Sequence, residues 1–250
     1  MTTSGAQLQL DAGNTCLKWR LVSGTEILDS GRIDNKKNWQ DELSAVVAIT
    51  GSVTSAAISM VSGNARLARL QQILRDVASV EPVIARTQKN FAGVTVIYEK
   101  EKMLGVDRWL AMLAANKDIP EQIKVIVDCG TAMTIDVVDS GGQHLGGYIV
   151  PGLRLMKESL AIKTADLEEV EHPARAVKLG DTTMDCINHG VLAMSVAMVD
   201  EVCARYQNAV LYMTGGDAPQ LREHLKNECR KLYVPDLVLD GLAIVSQHQK

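Results

Sequence analysis

The chain has 250 residues, 46% of them apolar and 22% charged, with a formal net charge of −4. That is enough for one large core or two small ones, and without a basic excess or a Lys/Arg tract it lacks the electrostatic footprint of a partner for nucleic acid or anionic membrane, which leaves a small molecule. Its five cysteines (Cys16, Cys129, Cys186, Cys203, Cys229) are scattered and form no C-x-x-C pair, so their spacing points to neither a disulfide framework nor a zinc site.

The polar opening MTTSGAQ has neither the charged nor the apolar region of a secretory signal, and no apolar stretch is expected to span a bilayer. A cytoplasmic protein with reduced thiols is therefore expected. LQLDAGNTCLKWRLVSGTEILDSGRI then predicts a strand ending at Asp11, a glycine turn, a second strand, a Ser23-Gly24 turn and a third strand. An amphipathic helix near Trp39–Ala48, a strand near Ala56–Val61, a helix near Leu67–Ala78 and a strand at Pro82–Ala85 follow. Leu104–Asn116 reads as a joining helix. VIVDCGTAMTIDVVDSGGQHLGGYIV repeats the opening meander. After it come helices near Leu153–Leu160 and Thr183–Arg205, a strand at Val210–Thr214, a helix near Pro219–Cys229 and a closing helix after Asp240.

Laid over each other without a gap, the two meanders place Asp11 on Asp128, Gly13 on Gly130, Ser23 on Ser140 and Gly24 on Gly141. D-x-G is common in turns, but two such turns followed by the same Ser-Gly turn indicate two copies of one α/β unit. The expected domains are residues 1–113 and 114–250.

Three turns carry phosphate-type chemistry. In Asp11-Ala12-Gly13-Asn14-Thr15 a carboxylate ends a strand, a glycine lets main-chain N–H groups approach an anion, and an amide and a hydroxyl add neutral donors; Lys18 follows on the next strand. Asp128-Cys129-Gly130-Thr131-Ala132-Met133-Thr134 supplies a second carboxylate and glycine, with Thr131 assigned to the turn and Thr134 to the strand, where it serves a ligand or an exposed face equally. Gly215 and Gly216 stand between an apolar strand and a helix N-terminus, an opening for adenosine or phosphate and also an ordinary place to turn. No G-x-x-x-x-G-K-[ST] and no strand-linked G-x-G-x-x-G is present. Duplicated phosphate turns instead describe two ribonuclease H-like half-domains of the actin/hexokinase type with a cleft between them. Gly105-Val106-Asp107-Arg108 adds a carboxylate able to accept a hydroxyl proton and a cation for an anionic substrate, although a first helical turn would also favour Asp107. His144, His172, His189, His224 and His248 share no ligand spacing, and Met194–Met198 fit a helix's apolar face.

DAGNT at Asp11–Thr15, LGVDRW at Leu104–Trp109, DCGTAMTID at Asp128–Asp136, GGYIVPG at Gly146–Gly152, LGDTT at Leu179–Thr183 and TGGDA at Thr214–Ala218 come in the order of the type III pantothenate kinase family, which the chain resembles over almost its whole length. The resemblance implies phosphorylation of pantothenate by ATP, the first step of coenzyme A synthesis. It makes Asp107 the proton acceptor, Asp11–Lys18 and Thr131 the ATP contacts, Asp128 the ligand of a potassium or ammonium ion, and Tyr98, Gly105, Val106, Asp107, Arg108 and Thr183 the substrate positions. It also implies a homodimer. ATP brings a divalent ion, magnesium, for which Asp11 is the candidate ligand. The charged EKEKM before Gly105 and the Asp181-Thr182 pair depart from the family pattern, and leave open whether Thr182 or Thr183 faces the substrate. Two alternatives are a nucleotide-binding regulatory module on the same fold, since relatives have been labelled transcriptional accessory factors, and a kinase for another hydroxy acid.

Overall fold

The computed structural model describes residues 5–61, 63–161 and 176–248. In chain order it contains β1 (Ala6–Ala12), β2 (Cys16–Ser23), β3 (Glu26–Asp34), α1 (Trp39–Thr50), β4 (Val53–Met60), α2 (Asn64–Ala78) and β5 (Val83–Ile84). The short β6 (Asn90–Phe91) and β7 (Val94–Thr95) precede α3 (Val106–Asp118). Then come β8 (Lys124–Cys129), β9 (Ala132–Val138), β10 (His144–Pro151), α4 (Leu153–Ala161) and α5 (Thr183–Arg205). The last elements are β11 (Val210–Thr214), α6 (Ala218–Arg222), β12 (Arg230–Tyr233) and α7 (Leu237–His248).

These elements fall into two compact units. Unit 1 comprises Met1–Ala92, Tyr98–Ala114 and Leu237–Lys250, and unit 2 comprises Gly93–Ile97 and Ala115–Asp236. Relative to a division at 113/114, the closing helix lies with the first unit.

Unit 1 is built on a sheet of order β3-β2-β1-β4-β5, antiparallel through β3, β2 and β1 and parallel from β1 to β5. Alternation in β1 turns Leu8 and Leu10 toward the core formed with Trp39 and Leu43 of α1 and Leu70 and Leu74 of α2. Gln7, Gln9 and Asp11 point to the other face, against which α7 packs on β1 and β4. A lone buried polar group there would be costly, so the face is wired together. Arg20 Nε donates to Gln9 Oε1 at 3.0 Å, its Nη1 pairs with Asp240 Oδ1 of α7 at 2.7 Å, and Ser246 Oγ of α7 donates to Gln7 Oε1 at 3.2 Å.

Unit 2 repeats the plan, with sheet order β10-β9-β8-β11-β12 and the same sequence of antiparallel and parallel pairings. Val125, Val127, Ile135 and Val137 of the sheet pack on Leu192, Val196, Val199 and Val202 of α5. Opposite them, His144 is fully buried and its Nε2 lies 3.0 Å from Asp136 Oδ1, a structural pairing.

The duplication extends to the irregularities. Leu28 is the extra residue of a bulge between β2 and β3, and Leu145 that of the matching bulge between β10 and β9. The gapless equivalence fails, however, in the middle strand. Asp11 faces Lys18 and Asp128 faces Thr134, because the first hairpin loop is one residue longer in unit 1. The second loop is one residue shorter there, which restores the offset; the left-handed turn glycines are Gly24 (φ 62°) and Gly142 (φ 82°), not Gly24 and Gly141.

Other expectations also need correction. The helix near Pro219–Cys229 stops at Arg222, because Asp200 Oδ1 of α5 accepts from the main-chain N–H groups of Lys226 and Asn227 at 3.2 and 3.0 Å and draws that stretch out of helical hydrogen bonding. Strand β12 follows, where no strand was expected. Helix α5 is, by length and a mean hydropathy of 1.3, apolar enough to cross a membrane, contrary to the sequence reading; half of that window is buried inside the protein. On the same helix Met198 packs against the core, whereas Met194 is 58% exposed.

Candidate active site

The β1–β2 hairpin presents Asp11 and Lys18 directly across from each other, so their side chains leave the same face of the sheet. Between them the loop closes through Gly13 N donating to Cys16 O at 3.1 Å, with Asn14 and Thr15 exposed. Two residues that sequence reasoning missed hold this loop in place. Asn35 Nδ2 donates to Gly13 O and Asn14 O at 3.0 and 2.7 Å, and Arg66 Nη2 donates to Gly13 O at 3.2 Å while its guanidinium lies 5.0 Å from the Trp39 ring centroid. Arg66 thus brings an oriented cation, held over the Trp39 ring, to the hairpin loop. Their only sequence signal was residue type, since the proximity is tertiary.

A second group, also in unit 1, surrounds the start of α3. Gly105 O accepts the Trp109 N–H at 3.1 Å, and Asp107 Oδ1 accepts the Arg108 N–H at 2.8 Å within the first turn. A Cβ on Gly105 would stand 2.6 Å from Asp107 Oδ1, so glycine leaves the space this carboxylate occupies. Val106 and Arg108 are buried, and Arg108 Nη1 donates to Tyr98 Oη at 3.3 Å. Tyr98, Gly105, Asp107 and Arg108 therefore form one cluster. Its backbone is anchored by Lys89 Nζ on Tyr98 O at 2.9 Å and by Thr87 Oγ1 on Leu104 O at 3.0 Å.

In unit 2 the β8–β9 hairpin sets Asp128 opposite Thr134, with Gly130 and Thr131 in the turn. Gly130 N donates to Ala132 O at 3.1 Å, and Gly152 N donates to Thr131 O at 2.9 Å, tying the turn to the start of α4. The β11 end arrives beside it: Asp217 N donates to Cys129 O at 3.1 Å. Gly215 has φ 89°, and a Cβ there would overlap Cys129 O and lie 2.6 Å from Asp128 Oδ1. Asp128, Gly130, Thr131, Thr134 and Gly215 are thus brought together, with Gly216 next in the loop.

Charge around this loop is finely set. Burial raises the Asp217 carboxyl above the usual Asp range, opposed by the cations of Lys157 and Arg154 on α4. Burial likewise lowers Lys157, opposed by Asp217. Cys129 is held protonated by burial and by the neighbouring Asp128 and Asp217 charges.

Thr183 is exposed as the first residue of α5. Thr182 caps the helix, its Oγ1 accepting from Asp185 N and donating to Asp185 Oδ2, both at 3.1 Å. The Thr182 hydroxyl is thus engaged in the cap, beside the exposed Thr183.

Among the described residues no three His, Cys, Asp or Glu side chains gather around a common metal position. Asp11 and Asp128 each offer a carboxylate, the hard oxygen donor that suits a cation taking few protein ligands.

The sequence profile of type III pantothenate kinase matches residues 7–205. A type III pantothenate kinase from Hahella chejuensis is 39% identical over 243 residues, covering 96% of this chain and 97% of that protein. Among solved structures, one from Campylobacter jejuni, whose title names a Baf transcriptional activator family, has a TM-score of 0.62 at 22% identity over 97% of this chain and 98% of its own. A ROK hexokinase from Thermus thermophilus has a TM-score of 0.50 at 12% identity, covering 98% of this chain and all of its own, and like the first supports the fold alone. With the duplicated sheet order, these likenesses give the actin/hexokinase type of fold, and the profile and the full-length relative give the activity: the chain belongs to the type III pantothenate kinase family, whose members phosphorylate pantothenate for coenzyme A synthesis.

Proposed function

We propose that Asp107 is the general base for transfer of the ATP γ-phosphoryl group to the primary hydroxyl of pantothenate. The observation that carries this assignment is the seating of Asp107 over the bare backbone of Gly105, beside the buried Arg108 and its Tyr98 contact. In this reading the substrate hydroxyl gives its proton to Asp107 as its oxygen attacks the γ-phosphorus, and the bond to the β-phosphate oxygen breaks to leave ADP. Arg108 and Tyr98 hold the polar groups of pantothenate, an assignment supported by the match between a guanidinium and a carboxylate. Thr183 is a further substrate contact.

The nucleotide contacts we assign are Gly13, Asn14, Thr15 and Lys18 in unit 1, for phosphate, and Gly130, Thr131 and Thr134, for phosphate, with Gly215 and Gly216, for adenosine, in unit 2. Asp11 would hold magnesium, directly or through water, and Asp128 potassium or ammonium. Bound there, these cations supply neutralisation of phosphate charge.

The proposal includes a cytoplasmic homodimer. Supporting the dimer, edge strand β10 exposes Tyr148 (45%) and Ile149 (63%), and neighbouring α4 exposes Leu155 and Leu160. An uncovered apolar sheet edge of this kind invites pairing with a second copy.

The test is coupled ADP release with pantothenate, magnesium and a monovalent cation. Wild type should release ADP only when pantothenate is present, and Asp107→Asn should lose about 100-fold or more in kcat while still binding ATP. Full turnover in Asp107→Asn would remove the base assignment, and a single-subunit mass in light scattering would remove the dimer.

A further inference from the structure

Strands β8, β11 and β12 run parallel, so the Asp128 and Gly215 loops share one end of the unit 2 sheet, and Gln122, Val210 and Arg230 mark the other. At that other end a cleft of about 840 Å³ opens, with Asp200, Cys203, Ala209, Cys229 and Arg230 among its lining residues. Two sulfurs meet in its wall. Cys203, near the end of α5, is buried in the core, whereas Cys229, just before β12, is only half-buried. Cys229 packs against the core cluster that contains Cys203, and both side chains line the cleft.

The contact is held from both sides. Asp200, one turn before Cys203, accepts from Asn227 Nδ2 at 2.7 Å as well as from the Lys226 and Asn227 main chain. Asn227 Oδ1 in turn accepts the Cys229 N–H at 3.2 Å. The loop carrying Cys229 is thus pinned to the helix carrying Cys203, and phosphoryl transfer uses neither thiol.

We propose that Cys203 and Cys229 are an oxidisable dithiol, a modification site at which a peroxide reached through the cleft produces an intramolecular disulfide. Hydrogen peroxide oxidises the more accessible Cys229 thiol to a sulfenic acid and is itself reduced to water. The Cys203 sulfur then attacks the Cys229 sulfur, and the Cys203 proton leaves with the sulfenic hydroxyl as a second water. In sum, two thiols and one peroxide become one disulfide and two waters. Burial, and after it the neighbouring Cys229, raise the Cys203 thiol, which makes it the resolving sulfur and not the one that meets peroxide first.

The test treats the full-length protein with a few-fold excess of hydrogen peroxide, blocks remaining thiols, digests without reductant and reads the peptides by mass spectrometry. The expected product is a cross-link between the Cys203 and Cys229 peptides, two hydrogens lighter than their sum, reversed by dithiothreitol and absent in both Cys229→Ser and Cys203→Ala. Circular dichroism confirms that at least one of these variants is folded. Recovery of both thiols unlinked, or Cys229 advancing to sulfinic acid while Cys203 stays reduced, would overturn the proposal, as would preferential modification of the exposed Cys186 with the pair untouched.

Discussion

Replacing Gly105 by alanine adds one methyl group at the start of α3, at a position whose nearest neighbour is the Asp107 carboxylate. The new Cβ would lie 2.6 Å from Oδ1, and ordinary contact begins at 3.4 Å, so the oxygen must retreat by the difference. The other two neighbours, Asp107 Cγ at 3.8 Å and Arg108 Cδ at 3.9 Å, already sit at ordinary contact, and Gly105 is not among the positive-φ glycines. Only the end of a flexible side chain has to give, so stability should change by no more than about 0.5 kcal/mol. The carboxylate nonetheless leaves its 2.8 Å hydrogen bond to the Arg108 N–H and its position as base. A shift approaching an ångström at a reacting group costs up to about 100-fold in rate, and we expect kcat to fall by about 10- to 100-fold, or 1.4 to 2.7 kcal/mol. Pantothenate-dependent ADP release at saturating ATP measures this, with thermal melting followed by circular dichroism as the control. Turnover within about twofold of wild type at an unchanged melting midpoint would refute both the seating and the role assigned to Asp107.

Gly215→Ala should cost about 2–4 kcal/mol in urea denaturation, since it combines a left-handed backbone with overlap at the Cys129 carbonyl; wild-type stability would show that this loop is not closely packed. Tyr98→Phe removes the hydroxyl that accepts from Arg108, and should raise the pantothenate KM by about fivefold, the equivalent of one hydrogen bond, without changing that for ATP; equal changes for both substrates would count against a substrate role. Asp217 gives a pH signature. Its folded carboxyl is raised above its unfolded value, so the folded state binds the extra proton, and stability falls as pH rises through the window between the two. Asp217→Asn abolishes this dependence, so its urea midpoint relative to wild type should climb across that window; a parallel pair of pH curves would contradict the burial of the charge.

Much of the fold was legible because backbone geometry restricts residue choice locally. The D-x-G turns, the apolar stretches that precede them in LQLDA and VIVDC, and the run Val210–Thr214 marked their strands correctly. What escaped was set by distant groups. Nothing in Leu225–Cys229 announces that Asp200, on another helix, will take its N–H groups and end α6 early. The one-residue difference between the first hairpin loops was concealed by the opposite difference in the second, so a gapless alignment looked complete while its middle strand was out of step. At the candidate site, Asp107 and Arg108 were visible as residue types beside a glycine. Tyr98 entered only as a substrate position implied by the family resemblance, and its contact to Arg108, like the roles of Asn35 and Arg66, could be found only once the chain was folded.

The placement of α7 has a bearing on synthesis. This helix, buried from Leu237 through Ser246 apart from Asp240 and Ala243, backs β4 and the strand that carries Asp11, and its Gly241 sits so close to the Leu110 carbonyl that a side chain would overlap it. A ribosome adding about 5–20 residues per second reaches Leu237 about 7–30 s after Ala92. Through that interval, in which unit 2 is being translated, the nascent chain holds Gln9 and Arg20 without their α7 cover. The half made first is finished last, and a stop codon before Leu237 would leave it permanently open on one side.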